Sequence, residues 1–186
     1  MRLPTVYHSA FREDGAELGE LEYFSDGKSV VKFHDINEPT PPEFADCDCI
    51  YVEPAWRRGF ETFKRRAGAA GNFNEYLDSI QRIVTEVRKP AFVVGGRHMQ
   101  RRLRPEIVRK VQLNGFSALL MTWNAQAPRI DSALDLQREL ACCYPRVLDF
   151  CCGYGAHLPL FRSFVASDVN KRCVYYVATN YMGYES

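Results

Sequence analysis

The alternation of short apolar segments with amphipathic helical segments predicts an α/β domain whose sheet is covered by helices on both faces. The strand segments are apolar throughout, which favours buried, mainly parallel strands over a sheet with one face in water. The chain has 186 residues, of which 46% are hydrophobic and 25% charged, as in ordinary globular proteins. We therefore expect one domain over residues 1–186, in which residues 1–28 form an N-terminal arm or an edge hairpin.

Six segments predict the strands of this sheet, because each is short and apolar and is followed by turn-forming residues. They are residues 29–33, 49–52, 91–94, 116–121, 146–150 and 164–167. Ligands of such sheets bind beyond the carboxyl ends of the strands. The loops that follow these six segments are therefore expected to line a site.

Apolar residues recur at helical spacing between the strands. The clearest helix covers residues 74–87, which Asn72 or Asn74 can cap. A short helix is expected to start near Pro105 and to end at Asn114-Gly115, with Ile107, Val108 and Val111 on one face. Two further helices are expected to follow Ser132 and Asp168.

The net charge of +1 conceals a strong asymmetry along the chain. Residues 1–53 contain 12 acidic and 4 basic residues, whereas residues 54–186 contain 11 acidic and 20 basic residues. Such a split predicts a polarised surface that can steer an anionic partner. No apolar run reaches the roughly 18 residues of a membrane span, so no membrane association is expected. The seven cysteines lack the spacing of a zinc site, which predicts reduced thiols, no metal and a cytoplasmic location.

The segment from residue 147 to residue 170 carries the strongest functional pattern. A buried strand ends at Asp149-Phe150 and is followed by Gly153 and Gly155, and the next strand ends at Asp168. Glycines let the backbone approach a ligand closely, and a carboxylate at the end of the next strand can accept hydrogen bonds from two ribose hydroxyls. The third glycine of a dinucleotide-binding loop is missing, so the spacing is not that of a dinucleotide site.

Four segments resemble the motifs of S-adenosylmethionine-dependent methyltransferases that act on amino groups. Residues 149–155, Asp-Phe-Cys-Cys-Gly-Tyr-Gly, resemble the first motif, Asp-Pro-Phe-x-Gly-x-Gly, and Asp168-Val169-Asn170 resembles the acidic second motif. Glu53-Pro54-Ala55-Trp56 resembles the Asp-Pro-Pro-Tyr/Trp motif of enzymes that methylate exocyclic amino groups of bases. Residues 31–35 resemble the strand whose terminal acid contacts the adenine amine of the cofactor.

The order of these motifs resembles that of circularly permuted members of the family, because the catalytic motif precedes the cofactor motifs. Residues 29–33 would then be the third strand of the usual order. Such a permutation requires the C-terminal helix to pack beside the N-terminal strand. The resemblance therefore implies a Rossmann-like methyltransferase sheet, circularly permuted.

The resemblance assigns S-adenosylmethionine as the cofactor and implies a role for each residue that would hold it. Gly153 and Gly155 would form the bend under its methionine part, and Asp149 would lie near its ammonium group. Asp168 would bind the ribose hydroxyls. Asp35 would bind the adenine amine with Ile36 against the ring, and Phe150 would pack beside the cofactor. Without the resemblance, Asp35 is an ordinary turn residue and Phe150 an ordinary core residue.

The resemblance also assigns the catalytic residues. Glu53 and the carbonyl of Pro54 would accept the two hydrogens of the target amine, while Trp56 stacks on the extruded base. The chain departs from the family in two places, since Glu53 replaces an aspartate and Ala55 replaces the second proline. Adenine N6 is the first expected target, and cytosine N4 remains open.

Two clusters of basic residues follow the predicted strands and suit a phosphate backbone. The candidate nucleic-acid-binding residues are Arg57, Arg58, Lys64, Arg65, Arg66, Arg101 and Arg102. They are expected on loops at the carboxyl edge of the sheet. Since the chain leaves no room for a separate target-recognition domain, we expect DNA or RNA, single-stranded or read with the help of a second copy or a partner subunit.

Two other functions fit the same sequence. A methyltransferase of the same fold could act on a small molecule or a protein amide, which the altered Glu-Pro-Ala-Trp motif favours. A degenerate member would bind nucleic acid without binding cofactor or transferring a methyl group. Nucleic-acid binding that weakens steeply with salt would count against an enzyme for small molecules or protein amides. Cofactor binding would count against the degenerate module.

Overall fold

A computed structural model describes residues 23–67 and 71–184 of the chain. In these ranges eight strands form one sheet, with five α-helices and two short 3-10 helices around it. The strands are β1 (Tyr23–Ser25), β2 (Val30–Phe33), β3 (Cys49–Val52), β4 (Ala91–Gly95), β5 (Ile107–Leu113), β6 (Phe116–Trp123), β7 (Arg146–Asp149) and β8 (Ser163–Asp168). The helices are α1 (Arg57–Ala67), α2 (Phe73–Val87), α3 (Arg97–Leu103), α4 (Ala133–Cys143) and α5 (Lys171–Tyr181). The 3-10 helices are Pro42–Ala45 and Leu158–Leu160.

The order of strands across the sheet is β1-β2-β8-β7-β3-β4-β6-β5. Strands β2, β8, β7, β3 and β4 pair in parallel. Strand β1 is antiparallel to β2, and β6 is antiparallel to both β4 and β5. The result is a mostly parallel sheet in an α/β domain, compatible with a Rossmann-like fold.

Two apolar cores, one on each face of the sheet, hold the domain together. On one face, α4 and α5 bury Leu136, Leu140 and Val174 against the sheet. On the other face, α1, α2 and α3 bury Phe60, Ile80 and Met99. Because side chains of one strand alternate between the faces, β3 contributes Tyr51 to the first core and Val52 to the second. This explains why the strand segments read as continuously apolar.

The helix expected over residues 74–87 is confirmed as α2, together with its cap. Asn72 Oδ1 accepts the backbone N–H groups of Asn74 and Glu75, and the Glu75 carboxylate accepts the N–H of Asn72. This reciprocal pairing is the capping box that the sequence Asn-x-x-Glu can form. Ser132 likewise caps α4 by accepting the N–H of Asp135.

The helix expected after Pro105 is wrong, because Ile107–Leu113 forms strand β5. It pairs with β6 through a two-residue turn in which Asn114 and Gly115 have φ values of 49° and 81°. Positive φ at both central residues is the geometry of the tight hairpin for which Asn-Gly is the strongest short signal. Because β6 runs antiparallel to β4, the loop after Met121 leaves from the opposite edge and does not join the others.

The basic clusters lie on helices and not on the loops that were expected. Arg57 begins α1, which continues to residue 67, and Arg101 and Arg102 lie in α3. Helix α1 was not predicted from the sequence, because it contains few apolar residues among its charged ones. Both helices begin directly beyond the carboxyl ends of β3 and β4, so the clusters still lie near that edge of the sheet.

Both ends of the described chain meet at one edge of the sheet. Strand β1 pairs with β2 as a hairpin at the edge of the sheet. The rest of the segment for which an arm or an edge hairpin is expected, residues 1–22, lies outside the described residues. Helix α5 packs against β2, as the permuted order requires. The rings of Phe24 and Tyr184 lie 5.0 Å apart, and the Tyr184 hydroxyl accepts the N–H of Ser25 at 2.9 Å. Within the described ranges no helix is long and apolar enough to cross a bilayer.

Gly115→Ala and Gly59→Ala form a matched pair that tests the two corrected elements. Gly115 has a positive φ, so alanine there is strained although space is open, and stability should fall by about 1 kcal/mol. Gly59 lies inside α1, where an added Cβ would meet no atom within 4 Å, so alanine there should raise stability by about 0.5–1 kcal/mol. Urea denaturation of both variants measures the changes. If both substitutions changed the free energy of unfolding in the same direction, the result would contradict either the hairpin or the helix.

Candidate functional site

A cavity of about 770 Å³ opens at the carboxyl edge of the sheet. It lies where the strand order reverses, since the chain passes from β7 to β8 on one side and from β3 to β4 on the other. Ligands of open α/β sheets bind at this point. Six of the residues singled out from the sequence line the cavity: Asp35, Ile36, Glu53, Phe150, Gly153 and Asp168.

Asp168 ends β8 and is almost completely buried in the cavity wall. Its Oδ2 accepts the backbone N–H of Gly153 at 2.9 Å, and its Oδ1 accepts that of Asn170 at 2.8 Å. Burial raises the pKa of this carboxyl to about 6, against the opposing effect of the two hydrogen bonds. Each oxygen keeps a second acceptor site, so the group can still bind hydroxyl donors.

The two glycines of the loop after β7 have different surroundings. Both have positive φ, 52° at Gly153 and 59° at Gly155. A Cβ on Gly153 would meet no atom within 4 Å, so this residue borders open space in the cavity. A Cβ on Gly155 would lie 2.5 Å from Leu158 Cδ1. Gly155 is therefore required by packing under the loop and does not line the cavity.

Asp149 is buried behind the glycine loop and does not line the cavity. Its Oδ1 accepts the N–H of Cys151 at 3.0 Å, and its Oδ2 lies 3.0 Å from Nε2 of His157. The Tyr51 ring packs edge-on against the imidazole of His157 at 5.0 Å. The carboxylate thus fixes the loop that carries Gly153.

Asp35, Ile36 and Phe150 form a further part of the cavity wall. Asp35 Oδ1 accepts the backbone N–H and the side-chain amide of Asn37, both at 2.9 Å, so it forms the expected turn and also lines the cavity. Ile36 is buried. The Phe150 ring stacks on Phe44 with the centroids 6.2 Å apart. Together they offer one acceptor group beside an apolar wall.

Glu53 follows β3 and reaches the cavity with its carboxylate held in place. Its Oε1 accepts hydrogen bonds from the Tyr51 hydroxyl and from Nε2 of Gln137, the latter at 2.8 Å. Burial, reinforced by the charge of Glu53, raises the pKa of Tyr51 far above its usual value, so the hydroxyl stays a donor. Pro54 is buried, and Trp56 packs between the two cores outside the cavity lining.

Tyr76 of α2 is a site residue that the sequence indicated only as part of an apolar helix face. Its hydroxyl accepts the N–H of Ala55 at 3.0 Å and donates to Sγ of Cys151 at 3.5 Å. It therefore joins the loop after β3 to the loop after β7, and it lines the cavity between them. Burial raises the pKa of Tyr76 well above its usual value. A tyrosine in an apolar stripe is itself a signal, because a buried hydroxyl needs a partner.

The candidate nucleic-acid-binding residues are divided between several places. Arg57, Arg101 and Arg102 line a second cavity, of about 570 Å³, among α1, α2 and α3. Arg102 is paired there with Asp78, with Nε 2.6 Å from Oδ1. Lys64 and Arg65 lie farther along α1 and line neither cavity. The side chains of Arg58 and Arg66 lie outside the described part of the structure.

The cysteines near the site are free thiols. Burial raises the pKa of Cys151 and of Cys152 well above the usual range, so neither is activated as a nucleophile. In the described ranges no three potential ligands from His, Cys, Asp or Glu are grouped as a metal site. The cavity is thus built for hydrogen bonding and apolar contact.

Comparison with known proteins gives no assignment of family. No protein-family model matches the chain, and the search of the curated proteins finds no match. Functional conclusions therefore rest on the residues and geometry of the site.

Asp168 should make the stability of the protein depend on pH in a defined direction. The folded protein holds the proton up to about pH 6, whereas the unfolded chain releases it near 3.8, so ionisation opposes folding as pH rises between these values. Relative to Asp168→Asn, the wild-type protein should lose on the order of 3 kcal/mol as pH rises from about 4 to about 7. Urea denaturation of both proteins across this range measures the difference. A difference independent of pH would contradict the raised pKa.

Proposed function

We propose that this protein is an S-adenosylmethionine-dependent methyltransferase that acts on an exocyclic amino group of a nucleic-acid base, with adenine N6 as the first target. One observation carries the proposal. Residues from four separate segments, which resemble the methyltransferase motifs, line a single cavity at the reversal point of the strand order. The lining residues from these segments are Asp35 and Ile36, Glu53 and Ala55, Phe150, Cys151 and Gly153, and Asp168, Val169 and Asn170.

The order of the strands supports the permuted arrangement. If the strands are renumbered from β7, with β8 second and β2 third, then β3 and β4 become the fourth and fifth. The observed order β2-β8-β7-β3-β4 then corresponds to 3-2-1-4-5, the order of the doubly wound fold. The C-terminal helix α5 packs beside strand β2 near the start of the described chain, which is the arrangement that a permutation requires.

The residues present fit the proposed cofactor. A cavity of about 770 Å³ is within the usual range for such ligands, roughly 300–1,000 Å³. Asp168 would accept the ribose hydroxyls, and Asp35 the adenine amine beside the apolar wall of Ile36 and Phe150. Gly153, with open space where a side chain would stand, would admit the methionine part. Asp149 and Gly155 would act indirectly by shaping the loop.

The bound cofactor would supply an electrophilic methyl group, and the protein would prepare the amine that accepts it. Glu53 would accept one hydrogen of the amine and the Pro54 carbonyl the other, which frees the nitrogen lone pair from conjugation with the ring. Glu53 or water would then take the proton that the amine nitrogen must lose when it accepts the methyl group. Tyr51 and Gln137 bond only to Oε1 of Glu53, which leaves Oε2 for the substrate.

One observation favours a second candidate, a nucleic-acid-binding module without catalysis. Trp56, which would stack on the target base, is packed between the cores and does not line the cavity. A base in this site would then lack its stacking partner unless the loop rearranged. This candidate keeps the basic helices but predicts no methyl transfer.

Asp168→Ala should abolish cofactor binding. We expect calorimetry with S-adenosylhomocysteine to give micromolar binding to the wild-type protein and at least a tenfold loss in the variant, because the ribose acceptor is removed. Binding to the wild-type protein should also weaken as pH falls below about 6, where Asp168 becomes protonated and cannot accept two hydroxyls.

Asp131→Ala is the matched control, since Asp131 is exposed and lies outside the cavity lining. Its affinity for S-adenosylhomocysteine should equal that of the wild-type protein. Absence of binding to the folded wild-type protein would overturn the proposed function.

Glu53→Gln should separate binding from catalysis. The amide still bonds to Tyr51 but loses the charged acceptor, so methyl transfer should fall by about 10²-fold or more while S-adenosylhomocysteine affinity stays within about threefold. Tyr51→Phe, which removes one bond that orients Glu53, should show a smaller loss. The measurement is incorporation of tritium from labelled cofactor into single-stranded DNA and RNA. Unchanged transfer in Glu53→Gln would remove this residue from the mechanism, and no transfer by the wild-type protein would favour the binding module.

A further inference from the structure

Helix α1 contributes to the walls of both cavities. Arg57 and Glu61 of α1 line the second cavity, while Gly59, Phe60 and Thr62 line the first. A strand that placed a base in the first cavity would therefore run close to the second.

The lining of the second cavity contains more basic than acidic side chains. Arg57, His98 and Arg101 line it, and Glu61 is the acidic residue in its wall. Arg102 is already paired with Asp78, but in the described part of the chain neither Arg57 nor Arg101 forms an ion pair. Burial lowers the pKa of His98, and the positive charge of Arg57 lowers it further, as expected where cationic groups lie close together.

A row of aromatic rings connects the two cavities. Tyr76 and Phe60 line the first cavity and lie 4.9 Å apart, and Phe60 lies 5.4 Å from Phe73 in the wall of the second. Phe73 in turn lies 5.4 Å from the imidazole of His98. Phe60 and Tyr76 are buried, so this row fixes the two cavities relative to each other, and of the three Phe and Tyr rings only Phe73 is partly exposed.

We propose that the cavity among α1, α2 and α3 binds a backbone phosphodiester of a single-stranded acceptor, through Arg57, Arg101 and His98, next to the nucleotide that enters the cofactor cavity. This inference rests on the proposed function, whose acceptor class it specifies. Two guanidinium groups and an imidazole N–H match the several acceptor oxygens of a phosphodiester. Such a contact would fix the strand in place without reading its sequence.

Arg57→Gln/Arg101→Gln tests the phosphate site. Fluorescence anisotropy with a labelled single-stranded oligodeoxynucleotide, and with RNA of the same sequence, should show affinity reduced at least about tenfold at low salt. The slope of log affinity against log salt should become shallower by about 0.7, because one phosphate contact on a single strand contributes about that much. The loss should be similar for different sequences. Arg162→Gln, an exposed arginine before the amino end of β8, should bind like the wild-type protein.

The His98 side chain supplies a second measurement, which is made on the wild-type protein. Its imidazole resonance, assigned by comparison with His98→Gln, should shift when the oligonucleotide is added to the wild-type protein. Unchanged affinity and slope in the double variant, or an unmoved resonance at saturation, would overturn this inference.

Binding of S-adenosylhomocysteine to the same double variant separates failure of this inference from failure of the proposed function. Normal cofactor binding with weakened oligonucleotide binding is the expected result. If the wild-type protein binds the cofactor but not the oligonucleotide, the phosphate site is wrong and the cofactor site stands. If it binds the oligonucleotide through these arginines but not the cofactor, the phosphate site stands and the enzyme proposal fails.

Discussion

The hydrogen bonds of the Asp168 carboxylate hold the site together. One oxygen accepts the N–H of Gly153 in the loop after β7, and the other accepts the N–H of Asn170, which caps α5. The backbone carbonyl of the same residue accepts the N–H of His34 just beyond β2. A single buried acid therefore ties the ends of three neighbouring strands, and its burial raises its own pKa. In the proposed enzyme, this carboxylate, which burial removes from water, would accept hydrogen bonds from the ribose hydroxyls.

A second set of bonds connects the cofactor side of the cavity with the proposed catalytic side. Tyr76 bridges Ala55 and Cys151, and Tyr51 with Gln137 holds Glu53. These bonds hold the two positions, Glu53 and Ala55, at which the chain differs from the methyltransferase motif that it resembles. The longer side chain of Glu53 is anchored at one oxygen, and the loop at Ala55, which lacks the second proline, is fixed by a tyrosine hydroxyl.

The sequence predicted the elements whose signal is local. The strand at residues 49–52 and the helix over 74–87 were found because uniform burial and a capped helical period are visible in a short window. Strand β5 was missed since Ile107, Val108 and Val111 fit a helical face as well as an edge strand, and only the Asn-Gly turn distinguished them. The site residues Tyr76 and Gln137 could not be predicted, because their partners lie far along the chain. Gln137 and Glu53 are 84 positions apart, and only the sheet order brings them together.

The central claim is that the cavity at the ends of β2, β8, β7 and β3 holds S-adenosylmethionine. A crystal structure of the protein with S-adenosylhomocysteine tests it most directly. We expect the ribose hydroxyls on the Asp168 carboxylate, the adenine between Asp35 and the Ile36–Phe150 wall, and the methionine part over Gly153. Ligand density elsewhere, or an empty cavity at a saturating ligand concentration, would contradict it.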